Sequence, residues 1–194
     1  MNAFDYAMVL ISIIVGLGIT HILSNLGTAV HRLRHHGPAI RLESNYLAWI
    51  AFVFCWLVNF WWWEFKWSEL TPDFGFGLFM FLVLYATSLF LLAVILVPTR
   101  LSIVVDSWEY FLSIRYWFYG GLLVLNGIDL VDSFMKGTEW GFRTNNLVYW
   151  AALTATAIIG LSTTRRSVHT TLGIVMLVWF NALTLLDQGI LGGW

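Results

Sequence analysis

The chain has 194 residues, of which 59% are hydrophobic and only 11% charged, with a net charge of -1 and a mean hydropathy of +0.78. That balance lies far from an ordinary soluble domain, and no nucleic-acid partner is expected. Lipid is the expected solvent.

A helix needs about 20 mostly apolar residues to cross a hydrocarbon core about 30 Å thick. Six stretches stand out against that length, over residues 6–30, 46–65, 76–97, 116–134, 147–161 and 170–186. Their apolar runs lack the alternation of barrel strands, and unmet backbone N–H and C=O groups are costly in hydrocarbon, so each reads as a helix. The expected fold is all-α: one transmembrane domain over residues 1–194, a six-helix bundle with no soluble domain.

The first stretch has no basic residue ahead of it and no small-residue cleavage signature after it, so it reads as an uncleaved span. Gly18, His21, Asn25 and Thr28 fall on one helical face. An imidazole titrates near neutrality, which suits His21, with Asn25, to an inner gate or proton relay; the plainer alternative is a hydrogen bond to a neighbouring helix. Gly16 and Gly18 would let another helix approach closely, as would Gly120, Gly121 and Gly127 in the fourth span. The connector with His31, Arg32, Arg34, His35, His36 and Arg41 reads as a stop signal, and it would also suit anionic headgroups.

Cys55, in the second stretch, is the single cysteine, so no intramolecular disulfide is expected and redox chemistry is not indicated. Trp61, Trp62, Trp63 and Trp67 gather at the end of that stretch, and Trp108 and Trp117 flank the start of the fourth, the placement of an interfacial belt. Trp56 and Trp179 lie deeper, as core aromatics or as the wall of a pigment or sterol site. Pro38, Pro72 and Pro98 all fall at or beyond helix ends, so no span is broken. The fifth stretch is the shortest and carries Thr154, Thr156, Ser162 and Thr163, whose hydroxyls can bond back to the preceding turn.

Arg32, Arg34, Arg41, Arg100, Arg115, Arg165 and Arg166 lie in or beside the first, third and fifth connectors, leaving Lys66, Lys136 and Arg143 for the other side. Basic residues are retained in the cytoplasm, so both termini are expected on the non-cytoplasmic side. Glu64, Asp129 with Asp132, and Asp187 then all lie toward the outer ends of the even-numbered spans. With a rise of 1.5 Å per residue, Asp129 falls about 6 Å and Asp132 about 10 Å beyond the midpoint of the fourth span. Asn126 is a turn deeper, and Asn181, Thr184 and Asp187 or Gln188 form a polar stripe on the sixth span. Two such stripes facing each other would make a wet, negative vestibule. The simpler alternative hydrates Glu64, Asp132 and Asp187 at the interface or pairs them with Lys66 and Lys136.

No cofactor is expected. A bis-His haem would need a second histidine at the depth of His21, and Lys66 and Lys136 both fall near the outer surface, the wrong place for a retinal linkage. A hard cation on the acidic cluster is conceivable, but the spacing follows no known loop motif, so the metal question stays open. Carboxylates and a His could act as acid and base, yet nucleophile, metal motif and substrate contacts are missing, so no enzyme is expected. Phe4-Asp-Tyr6 pairs with Trp108-Glu-Tyr110, and Ser44-Asn-Tyr-Leu-Ala-Trp49 with Thr144-Asn-Asn-Leu-Val-Tyr149, offsets that fit a 3+3 inverted repeat although apolar segments resemble one another readily.

Trp61-Trp62-Trp63-Glu64, Leu130-Val-Asp132 and the opening run from Val9 to His21 resemble an uncharacterised family of bacterial six-helix inner-membrane proteins of about 200 residues. The resemblance implies a bacterial cytoplasmic membrane and no residue role. The expectation is therefore a small cation- or proton-conducting channel or coupled transporter in a homo-oligomer. Its outer site would hold Asp129, Asp132, Glu64, Asp187, Asn126 and Asn181, with His21 and Asn25 as the inner relay. The rival is a non-catalytic scaffold or accessory subunit that binds a partner protein, lipid or pigment.

Overall fold

The structure, a computed structural model, describes residues 3–34, 41–70, 74–99 and 106–185. Asp187, Gln188, Arg100, His35 and His36 lie outside them, as do the side chains of Arg32 and Arg34. Among the described residues every element is a helix: α1 Ala3–Arg34, α2 Ser44–Glu64, α3 Trp67–Leu70, α4 Phe76–Leu96, α5 Ser107–Lys136, α6 Thr138–Gly141, α7 Thr144–Ser162 and α8 Arg166–Leu185. Five helices, over Phe4–His31, Ser44–Leu70, Phe76–Leu96, Ser107–Lys136 and Arg166–Leu185, are long and apolar enough to cross a membrane. The fifth expected span corresponds to α7, whose 19 residues extend about 28 Å but which is not among those five helices.

The fourth span starts nine residues earlier than its apolar run. Asp106 caps it, its carboxylate accepting the backbone N–H groups of Trp108 (2.8 Å) and Glu109 (3.4 Å). Asp106-Ser-Trp-Glu109 has the spacing of a capping box, a signal that an apolar count alone overlooks. The longer helix moves its midpoint to residues 121–122, so Asp129 lies about 11 Å and Asp132 about 16 Å beyond it, further from the midpoint than the apolar run implied.

Helix α2 is central, packing on α1, α4, α5 and α8, while α1 runs along α4 and α5 packs on α4 and α7. Its buried face is aromatic. Trp49, Phe52 and Trp56 meet edge to face, and Phe180 of α8 joins them at 5.4 Å from Phe52. Such pairs add about 0.5–1.5 kcal/mol each beyond burial. Trp56 is thus a core aromatic. Trp61, Trp62 and Trp117 are exposed, but Trp67 is buried, which removes it from the expected belt.

The outer surface is apolar too, with Val9, Ile13 and Leu17 exposed on α1, Leu84 and Leu91 on α4, and Val175 and Val178 on α8. Of the expected close-approach glycines, two meet a neighbouring helix: a Cβ at Gly18 would lie 3.1 Å from Leu57, and one at Gly121 would lie 2.8 Å from Leu92. Gly16, Gly120 and Gly127 face open space. A closer approach, missed in the sequence, is at Gly160 of α7, where a Cβ would lie 2.2 Å from the Tyr119 ring.

Three helices cap the C-terminus of α4. The carbonyls of Ile95, Leu96 and Val97 accept from Tyr110 Oη (3.0 Å), Tyr46 Oη (2.7 Å) and His21 Nε2 (2.6 Å) in turn. Terminal carbonyls have no intrahelical donor, and Pro98 has no N–H to offer, so in an apolar surrounding these side chains complete the backbone.

Candidate functional site

At the end of the bundle that holds the α2 and α5 C-termini, three carboxylates and one ammonium gather around a cavity of about 80 Å³. Glu64 comes from the last residue of α2, and Asp129, Asp132 and Lys136 from the last turns of α5. Spacings of three and four residues put the α5 side chains on one helical face, and α2 packs against that helix. Glu64 and Asp132 are each 2% exposed.

The ammonium of Lys136 is fully committed. It reaches Asp132 Oδ2 at 2.5 Å, Glu64 Oε1 at 3.2 Å and the Trp63 carbonyl at 3.2 Å, which uses its three donors. It also lies 5.8 Å from the centre of the Trp67 ring, whose Nε1 donates to Asp132 Oδ1 at 3.0 Å. The lysine that the sequence placed near the outer surface is buried, because two carboxylates and a carbonyl replace its water. Lys66 takes no part, pairing instead with Glu69.

Asp129 is held by two aromatic donors. Tyr85 Oη donates to Oδ1 at 2.8 Å and Trp150 Nε1 to Oδ2 at 2.6 Å, which ties α5 to α4 and α7. These partners were not singled out from the sequence. One signal was available: Tyr85 places a phenol near the middle of the uncharged α4, and a buried tyrosine hydroxyl usually has a partner.

Five of the six carboxylate oxygens therefore carry a donor, and Glu64 Oε2, buried, has none. The Tyr149 hydroxyl is likewise buried and unpartnered, and both residues border the cavity. With every carboxyl ionised, the cluster holds two negative charges in excess of Lys136. Such an excess is costly at low dielectric unless a proton or a cation joins it. Trp63, Trp140, Tyr149 and Phe180 supply aromatic walls, and exposed Asn145 marks the outward side. Lys66 and Arg143 flank the Trp140 ring, 6.0 and 4.0 Å from its centre.

Glu64, Asp129 and Asp132 thus meet; Asn126, Asn181, His21 and Asn25 do not join them, and Asp187 lies outside the described residues. Asn126 turns to α7, its amide donating to Thr154 Oγ1 (2.9 Å) and the Trp150 carbonyl (3.2 Å). Asn181 bonds back to Leu177 of its own helix. The expected facing of polar stripes on α5 and α8 is not what is seen, because α8 packs on α2 and α7 while α5 packs on α4 and α7. Of the stripe's described residues, Thr184 borders the cavity and Asn181 does not. His21 lies toward the other end, on Val97, twelve residues or about 18 Å along α4 from Tyr85, and Asn25 bonds back to the His21 carbonyl. Among the described residues no group of three His, Cys, Asp or Glu is arranged to hold a metal ion.

A second buried polar pair lies at that other end. His169 Nε2 donates to the Thr163 carbonyl at 3.0 Å, so Nδ1 of the neutral ring accepts the Tyr119 hydroxyl at 2.7 Å. Trp108, Phe111 and Tyr119 surround the ring.

Compared with protein-family models, curated proteins and solved structures, the chain matches none of them.

Proposed function

We propose that the chain is a six-span protein of a bacterial cytoplasmic membrane that binds and passes a small cation or proton through the cavity bordered by Glu64, Asp129 and Asp132. The observation that carries this reading is Glu64 Oε2, a buried carboxylate oxygen without a donor beside a cavity with negative charge in excess. Glu64, Asp132 and Lys136 are buried inside the bundle, where excess charge is costly, so the cluster calls for a purpose beyond anchoring.

Helix α7 serves as the sixth span in this reading, its Thr154 bonded to Asn126 and its Thr156 buried. Arg41, Arg115, Arg165 and Arg166 lie toward the end away from the cavity, which supports a cavity opening on the non-cytoplasmic side with both termini there. Six helices with short connectors enclose little room, which favours a homo-oligomer. The inverted repeat rests on the sequence similarities alone.

The test is flux in liposomes. Cation or proton flux is expected from the native protein and is expected to fall sharply in Glu64→Gln and Asp129→Asn at unchanged folding. Native flux retained in both variants removes the cavity from the pathway and leaves the scaffold reading.

A further inference from the structure

We propose that the groove between α4 and α5 seats an anionic phospholipid, its phosphate on Arg115 and an acyl chain along the glycine face of α5. The proposal is independent of the cavity beside Glu64 and concerns the opposite end of the bundle. Arg115 lies about 10 Å from the α5 midpoint, inside the roughly 15 Å half-thickness of a hydrocarbon core. A charge at that depth needs an anion or a path to water. Its contacts are neutral: Nη1 donates to the Thr163 carbonyl at 3.4 Å, Nη2 donates to the Tyr116 hydroxyl, and the guanidinium carbon lies 4.5 Å from the centre of the Tyr116 ring. Among the described residues no carboxylate pairs with it, nor with Arg165, whose backbone N–H donates to Thr163 Oγ1 at the same corner (3.2 Å). The acids of this end are engaged or turned aside. Glu43 pairs with Arg166, Asp106 caps α5, and Glu109, six residues before Arg115, lies about 120° round the helix from it.

The groove supplies the other half. Tyr116 and Trp117 stand at its headgroup end, 59% and 74% exposed, where an interfacial belt belongs. From there it runs about 12 Å along α5 to Val124, walled by Leu91 and Ile95 of α4. Its serine, Ser88, bonds back to the Leu84 carbonyl and leaves the wall apolar. The floor is open, because a Cβ at Gly120 would meet nothing within 4 Å. A soluble phosphate gains nothing from this channel, and a zwitterionic headgroup brings its own ammonium, which leaves Arg115 and Arg165 uncompensated. An anionic phospholipid answers both, and each basic side chain near the headgroups is worth about fivefold in binding.

The experiment offers phosphatidylglycerol and phosphatidylcholine of identical chains, in equal amounts, to the purified full chain in detergent and weighs the retained lipid by native mass spectrometry. Phosphatidylglycerol is expected to be retained at least about tenfold over phosphatidylcholine. Arg115→Gln is expected to lower that ratio about fivefold or more, and Arg165→Gln, at an exposed position, to lower it less. Arg115→Lys keeps the charge and is expected to keep more of the preference than Arg115→Gln. Gly120→Leu, which fills the groove where there is free space, is expected to lower retention of both lipids severalfold and to leave their ratio unchanged.

Equal retention of the two lipids, or an unchanged ratio in Arg115→Gln, overturns the headgroup site. Retention untouched by Gly120→Leu overturns the groove and leaves surface charge alone. Release of the lipid by excess sodium phosphate at constant ionic strength overturns the lipid assignment in favour of a soluble phosphate. Should Arg115→Gln fail to fold, Arg165→Gln and Gly120→Leu carry the same two decisions.

Discussion

The Lys136 ammonium donates to Glu64 Oε1 at 3.2 Å, joining the last turns of α5 and α2 across 72 residues of chain. With Asp132 on the same ammonium, this buried ion cluster is the strongest polar link between helices at the cavity end. Removing one member of such a group strands the others without compensation.

Lys136→Met is accordingly expected to destabilise the protein by about 3–5 kcal/mol, read as a large fall in Tm in detergent. Adding Glu64→Gln and Asp132→Asn to Lys136→Met is expected to recover much of the loss, because the carboxylates that Lys136 paired are then neutral and only Asp129, held by Tyr85 and Trp150, keeps a charge. An unchanged Tm in the single variant would show that water reaches the carboxylates freely.

His21→Leu is expected to cost about 1 kcal/mol, since its Nε2 caps the Val97 carbonyl and hydrogen bonds between membrane helices average ~0.6 and reach ~1.7 kcal/mol. Tyr46→Phe and Tyr110→Phe, which uncap Leu96 and Ile95, are expected to cost similar amounts. Thermal unfolding checks all three. Cation binding at the far cavity is expected to persist in each; its loss in His21→Leu alone would return His21 to the role of relay.

Gly160→Ala is expected to cost about 1–3 kcal/mol, because the new methyl meets the Tyr119 ring and overpacking forces a shift. The ring cannot retreat without breaking its bond to His169. Tyr119→Leu in the same chain is expected to restore part of the Tm. Equal stability of Gly160→Ala and the native protein would show that α5 and α7 stand further apart.

Much of the bundle was legible without coordinates. Long apolar runs must form helices in hydrocarbon, and Pro98 marked the end of α4, while Pro38 and Pro72 lie outside the described residues. The meeting of Glu64 with Asp129 and Asp132 followed from chain reversal, which returns the ends of alternate helices to one level. Asp129 was rightly singled out as needing a partner, although the sequence did not say that Tyr85 and Trp150 supply it. Asn126 and Asn181 were placed at the proper level and on the wrong neighbours.

Composition and spacing by themselves determined the helical class, the approximate spans and the level of the carboxylates, because hydropathy and helical rise act along the chain. Only the tertiary structure decided that Lys136 turns inward, that His21 caps α4 and that one oxygen of Glu64 is left free. Those outcomes depend on the rotation of each helix about its axis. In a soluble bundle an apolar stripe fixes that rotation; here lipid-facing and core-facing sides are both apolar, as in α4, so side-chain packing alone selects the partners.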